Sequence, residues 1–428
     1  VIRKGLTAAR NAFSDGLVRA SAWLFAGFLT TGVFNYGFQV AMGRLLGPSD
    51  YGLMNALLGL CVVLGVPTAT LSMVLARKTA GYRATGDIAR ARRLFQRANE
   101  IVWRAGLPGL AVLALASGAI AVYLKAPSRT PVLILGGVLL SSVAYPTSAA
   151  ILQGLREYGW FGILQGLAGP ARFFFCVLAV LAGLGLDGAL LGMLAANAVL
   201  WGLAYFPARN RLASVPASPT PDPVAWGREM SVLAANLAFA VMTQADLVLV
   251  KHYFPAPEAG MYASAAILGR TVMYIPGSLV LAMFPMAVER KALNLDGRPL
   301  LFKALLMTLV LSGAGAALFF LAPHWVLETF FGVPYAGAAG LLKYFGPAML
   351  PMAFLLVVFN HEVAHGGTVF PYVMLAGAVV EIVLIHSFHG SLMSVVMILA
   401  AVGAALCGLG LIRWRAPRPE PACGYEFA

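Results

Sequence analysis

The chain is poor in charge. Only 11% of its 428 residues are Asp, Glu, Lys or Arg, against about 25% in an average soluble domain. That excludes a water-soluble globular fold, and a disordered chain needs the opposite composition. Acidic residues are the scarcest, 17 against 30 basic ones. Cysteine is nearly absent. Cys61, Cys176 and Cys407 lie in apolar runs and Cys423 lies near the end, so no spacing suggests a disulfide framework or a Cys-rich metal site. The basic start (Arg3, Lys4, Arg10) runs into a full apolar span with no small-residue cleavage site, which argues against a cleavable signal peptide.

What the chain has in abundance is apolar surface. Hydrophobic residues make up 60% of it and the mean hydropathy is +0.82. At about 20 residues per crossing, the sequence predicts twelve membrane helices and an all-α polytopic protein. The spans fall near 20–42, 53–75, 102–124, 131–152, 161–183, 187–206, 230–250, 262–287, 303–322, 341–360, 370–387 and 391–412. Spans five and six are expected to join through a tight turn at Gly185-Leu186-Asp187-Gly188.

The net charge of +13 reads as orientation rather than as a nucleic-acid partner. With the N-terminus inside, the inner segments hold 23 Lys and Arg and the outer loops 5, while Arg172 and Arg270 fall within spans. Basic residues collect in cytoplasmic loops, so the expectation is N-in, C-in. The most basic stretch, Arg77 to Arg104, reads as a solvated cytoplasmic helix near anionic headgroups.

The Pro-, Ala- and Ser-rich segment within 207–229 divides six spans from six. It predicts an N-terminal lobe (1–206), a linker (207–229), a C-terminal lobe (230–412) and a cytoplasmic tail (413–428). An internal repeat agrees. Gly43-Arg44-Leu45-Leu46-Gly47-Pro48-Ser49-Asp50-Tyr51-Gly52 follows span one, and Lys251-His252-Tyr253-Phe254-Pro255-Ala256-Pro257-Glu258-Ala259-Gly260 follows span seven. Both are basic, then apolar, Pro-containing, acidic and Gly-terminated. An even number of helices separates them, so the repeat is parallel and its two halves are related by an axis along the membrane normal. Such repeats belong to transporters that rock one half against the other.

The first copy of that motif, set within Asn35–Asn55, resembles the start of the polysaccharide-transporter (oligosaccharide flippase) family of the multidrug/oligosaccharidyl-lipid/polysaccharide (MOP) exporter superfamily. Gln153-Gly154-Leu155-Arg156 after span four and the basic loop between spans two and three are similar to that family too. The resemblance implies a non-enzyme that moves a polyprenyl-pyrophosphate-linked oligosaccharide from the inner to the outer leaflet of a bacterial inner membrane by alternating access. It implies no cofactor. The implied partners are the lipid-linked oligosaccharide, membrane lipids, and a polysaccharide polymerase with its chain-length machinery. Cell-wall precursor flippases resemble fourteen-helix proteins, so a twelve-helix chain points to another surface glycan. The alternative within the superfamily is a multidrug or organic-cation antiporter.

Charges inside a membrane are costly and are candidate functional groups. Arg172, midway along span five, suits a pyrophosphate, because its planar fork donates two parallel hydrogen bonds. Snorkelling or a pair with Glu381 is the structural alternative. Arg270 in span eight is the second basic candidate, although it sits at a depth to pair with Asp246 in span seven. Glu381 in span eleven and Asp246 are candidates for ion coupling, since burial raises a carboxylate's pKa. Asn35, Gln39, Asn236 and Gln244, with Asn197, are polar residues able to line a sugar path or to bond helices together. Asn35 and Gln39 share one helix face. Pro67, Pro146, Pro170, Pro276, Pro285 and Pro351 are expected to break or bend spans.

One motif stands apart. His361-Glu362-Val363-Ala364-His365 matches H-E-x-x-H, which on a helix places two imidazoles on one face for zinc, with the Glu as base. An intramembrane zinc protease is the enzymatic reading, with Glu381 as a third ligand. The Leu-Asp-Gly segments at 186–188 and 295–297 precede the motif, the reverse of the order such proteases show, and Gly366-Gly367 end the helix at once.

Overall fold

The computed structural model describes residues 2–213, 227–277, 298–364 and 369–415, together with 216, 279, 280, 283 and 286. Among the described residues there are helices and turns and no strand. In a bilayer this is the expected solution, because a helix satisfies every backbone N–H and C=O within its own segment. Among the described residues, nine stretches are long and apolar enough to cross a membrane. Two of them, Ala26–Ala84 and Tyr158–Leu212, run to 59 and 55 residues, more than twice the ~20 residues one crossing needs. Each is broken by glycine.

The first break lies in α1 (Ile2–Ala84) at Gly47, whose φ of 72° and ψ of 172° are outside the helical region. That backbone conformation is essentially confined to glycine. Pro48 follows, and its ring disfavours a helical conformation for the residue before it. The second break separates α4 (Tyr158–Ala179) from α5 (Gly185–Leu212). Gly183 (φ 87°) and Gly185 (φ 52°) both take positive φ there. The turn therefore falls at 180–185, just before the position expected at 185–188. Asp187 and Gly188 already lie within α5, because the two positive-φ glycines, rather than the Asp-Gly pair, set the reversal.

The chain divides into two compact units, Val1–Ser264 with Leu327–Ala338, and Ala265–Val326 with Ala339–Ala428. In the first, α1 packs on α4, on α3 (Thr130–Gly154) and on α6 (Gly227–Tyr253), while α3 and α4 pack on α5. Its core joins Leu75, Phe95, Ile151, Leu164 and Leu200. α2 (Ile88–Tyr123) begins at the cap residue Asp87, whose carboxylate accepts from the Arg90 backbone N–H at 3.1 Å. Arg92 donates to the Ala213 carbonyl at 3.0 Å, tying the start of α2 to the end of α5. Arg211 pairs with Glu157 at 3.0 Å beside it. The basic stretch from Arg77 to Arg104 is thus helix on either side of a short turn, and its α2 part continues without interruption into an apolar span.

The second unit contains α8 (Arg298–Leu321), α10 (Ala339–Ala348), α11 (Leu350–Ala364), α12 (Val369–Ser387) and α13 (Leu392–Arg415), with α11 packed on α13 and α8. α7 (Ala256–Tyr274) begins in the first unit and ends in the second. A short helix, α9 (Pro323–Phe330), and a 3₁₀ turn (Val333–Ala338) lie between α8 and α10. α10 and α11 are separate helices because Pro351, which has no N–H, removes a ladder bond at the junction. Pro67, Pro146 and Pro170 sit inside continuous helices. Pro276 lies in the turn after α7, and Pro285 lies outside the described residues.

Candidate functional site

Arg172 is carried by α4, about 21 Å along the helix from Tyr158 at 1.5 Å per residue. Its Nη1 donates to the Asn35 side-chain oxygen on α1 at 3.3 Å. Its Nε is buried and has no hydrogen-bond partner among the described residues. The groups within its electrostatic reach are Cys61, Tyr145 and Cys176, none of them a carboxylate. A guanidinium has five N–H donors, and the amide oxygen of Asn35 takes one. The arrangement leaves a cation with donors to spare among apolar helices, where an unpaired charge is expensive. Tyr145 donates to the Leu164 carbonyl and to the Gln165 side chain, each at 3.4 Å. Thr31 donates to the Gln165 carbonyl and accepts from the Gly169 N–H at 3.2 Å. Asn35, Tyr145, Gln165 and Arg172 therefore form one polar seam through α1, α3 and α4.

Gln39 does not join that seam. Its side-chain oxygen accepts from the buried Tyr51 hydroxyl at 3.0 Å, and Asn55 donates to the Tyr51 carbonyl at 2.9 Å. Both contacts belong to the break in α1. Nearby, Tyr335 donates to the Gly43 carbonyl at 2.8 Å. Arg44 donates to the Phe330 and Thr329 carbonyls at 2.9 and 2.5 Å, which neutralises the exposed C-terminal carbonyls of α9. The Gly43–Gly52 motif is a structural joint. Its repeat copy meets it there, for a Cβ built on Gly52 would lie 2.7 Å from the Gly260 nitrogen. Lys251 of the second copy is buried within electrostatic reach of Asp50 of the first.

The remaining candidates are dispersed. Gln244 on α6 packs against Gly59, and Asn236 is half-buried on the same helix. Asn197 donates to Ser141 at 3.3 Å, joining α5 to α3. Asp246 is buried and accepts from the Tyr262 hydroxyl at 2.7 Å. Arg270 on α7 and Glu381 on α12 are buried in the second unit. His361 and Glu362 are buried on α11, and His365 lies outside the described residues. Among the described residues no three His, Cys, Asp or Glu side chains gather as metal ligands. Sequence reading missed Tyr145, Gln165, Tyr262 and Tyr335. Tyrosines in an apolar span read as core, and only the tertiary fold shows where their hydroxyls point.

The sequence matches no protein-family model and no curated protein. Solved structures do match over nearly the whole chain. A multidrug-resistance MATE family transporter of the MOP superfamily, in an inward-facing conformation, superposes with a TM-score of 0.74 at 12% identity, covering 89% of this chain and 93% of that one. The lipid II flippase MurJ, in an inward closed conformation, gives 0.68 at 12% identity, with 92% and 87% covered. A MOP superfamily transporter from Pyrococcus furiosus, described as having a binding pocket of reversed polarity, gives 0.57 at 14% identity, with 93% and 94% covered. The fold is that of MOP superfamily transporters. With nine apolar membrane-length stretches among its described residues, the protein is a multi-pass membrane protein.

Proposed function

We propose that this protein is a flippase that carries a polyprenyl-pyrophosphate-linked oligosaccharide from the inner to the outer leaflet of a bacterial inner membrane. The observation that carries the reading is Arg172, a guanidinium on a membrane helix that holds Asn35 and no described carboxylate. An organic cation would be repelled by such a group, whereas a pyrophosphate would be held by it in bidentate fashion. The fold supports the same reading, since its neighbours include a flippase of a lipid-linked substrate as well as multidrug transporters. In this proposal twelve helices form two six-helix lobes, 1–206 and 230–412, with both termini in the cytoplasm. The polar head crosses along polar side chains while the polyprenyl tail stays in hydrocarbon, so no bond is made or broken. Alternating access suffices, because the barrier is the desolvation of the sugar head.

Arg172 holds the pyrophosphate and Asn35 orients the Arg172 fork. In this reading Arg270, Gln39, Asn236 and Gln244 belong to the sugar path, and Asp246 and Glu381 to ion coupling. The test is the leaflet distribution of the lipid-linked oligosaccharide, read by its access to an external sugar-modifying enzyme. Deletion is expected to trap it inside, the wild-type gene to restore delivery, Arg172→Ala to fail, and Arg172→Lys to restore it only partly. Normal outer-leaflet delivery in the deletion strain, with no second transporter of this fold present, overturns the proposal.

A second reading, a multidrug or organic-cation antiporter, rests on the buried Asp246 carboxylate that accepts from Tyr262. Under it, Asp246→Asn abolishes drug resistance while Arg172→Ala leaves it intact. The protease reading fares worse, because the structural neighbours over nearly the whole chain are transporters and a flippase.

A further inference from the structure

A cleft on the first unit shares no lining residue with the Arg172 seam. It is an open cleft lined by residues 95–104 of α2 and by Trp201 and Tyr205 of α5, with a volume of about 760 Å³, within the usual range for small-molecule sites. Aromatic rings line it from both helices. Trp103 and Trp201 meet edge to face at 5.8 Å, and Trp201 and Tyr205 lie at 5.3 Å with their planes tilted by 34°. The rings pack on one another as a continuous surface rather than standing apart as a cage. The Trp201 indole N–H is buried and has no acceptor among the described residues. Gln96, Asn99 and Glu100 of α2 supply polar groups to the same cleft.

A smaller hollow of about 350 Å³ adjoins this cleft and shares Glu100 and Arg104 with it. Arg97 completes its basic side. Arg104 is 82% exposed and only loosely paired with Glu100, at 3.9 Å, so it is available to another anion. Aromatic rings, amide and carboxylate groups in one cleft, and two guanidiniums beside them call for a particular ligand. It must have an apolar ring face, a rim of hydroxyls and an adjoining anion. A sugar ring meets the first two demands and a phosphate the third. A quaternary ammonium, which aromatic rings also attract, is opposed by the nearby arginines.

We propose that the α2–α5 cleft binds a glycosyl phosphate, with the sugar on Trp201 and Tyr205 and the phosphate on Arg97 and Arg104. The ligand is either the head of a lipid-linked saccharide, loading here from the inner leaflet, or a free sugar phosphate that senses precursor supply. The first source rests on the flippase reading, and the binding chemistry does not.

The test is equilibrium binding to the purified full chain in detergent. The probes are glucose 1-phosphate, farnesyl-diphosphate-linked N-acetylglucosamine, inorganic phosphate and phosphatidylglycerol vesicles. Saturable binding of glucose 1-phosphate is expected, weakened about tenfold or more by Arg97→Gln with Arg104→Gln, as loss of charge-assisted hydrogen bonds requires. Trp201→Phe, which keeps an aromatic face but removes the pyrrole ring and its N–H, is expected to weaken it less. Both arginines are exposed, so that double variant folds even if a tryptophan variant does not. Tighter binding of the farnesyl compound assigns the site to a lipid head, and equal binding assigns it to the soluble ligand. Unchanged affinity in the double variant, or equal binding of inorganic phosphate or phosphatidylglycerol, overturns the proposal. If leaflet delivery depends on Arg172 while the cleft binds nothing, this inference fails and the flippase reading stands. Binding in the cleft with normal delivery in the deletion strain gives the reverse.

Discussion

A Cβ on Gly260 would collide with the Pro48 carbonyl, and one on Gly52 would lie 3.0 Å from the Gly260 Cα. Both neighbours are backbone and cannot rotate away. Gly260→Ala is therefore expected to lower the melting temperature of the purified protein, by the ~1–3 kcal/mol that overpacking costs. Gly81 is the contrast. It is an exposed helical residue with nothing within 4 Å of a built Cβ. Gly81→Ala is expected to raise the melting temperature, since alanine in a helix is favoured over glycine by about 1 kcal/mol. A rise for both would mean that the two repeat motifs do not meet in the folded protein. At this scale Arg172 was legible, because a charge in an apolar run stands out. Its setting was not, because Asn35 is 137 residues away and Cys61 and Tyr145 on other helices look like ordinary core residues.

The element that most shapes the first unit is the broken α1. Gly-Pro at 47–48 announced a break, and the two flanking apolar runs announced two spans. What could not be read was that Tyr51 and Gln39 would bridge the break, or that Arg44 would seat the end of α9. The Arg44 contact depends on α9, a short helix that the period of the sequence did not reveal. Gly47→Ala forces a side chain into a conformation essentially reserved for glycine, at about 1–3 kcal/mol. A loss of that size in thermal stability, with Arg172-dependent delivery slowed rather than abolished, is the expected result. An unaffected melting temperature would place Gly47 in ordinary helical geometry. The joint between α4 and α5 makes the same point from the other side. The sequence pointed to Gly185 through Gly188, and only backbone geometry showed that Gly183 and Gly185 carry the reversal.

At the scale of the whole molecule, the membrane class was the most legible feature, because composition sums over every residue and no single contact can alter it. Structural neighbours agree on the fold, while the substrate is left to chemistry at Arg172 and in the α2–α5 cleft. Orientation is a whole-chain property of the same kind. The 23 to 5 division of Lys and Arg is large enough that moving any one span boundary by a few residues leaves its sign unchanged. The prediction can be read directly in a variant with its four cysteines removed. A cysteine placed at Lys125 or at His389, beyond the ends of α2 and α12, is expected to react with a membrane-impermeant maleimide on intact cells. A cysteine at Arg97 or at Arg156 is expected to react only after the membrane is opened. Labelling in the opposite order would put the α2–α5 cleft on the outer face. A precursor made in the cytoplasm could not load there, and the lipid-head source for that site would be excluded.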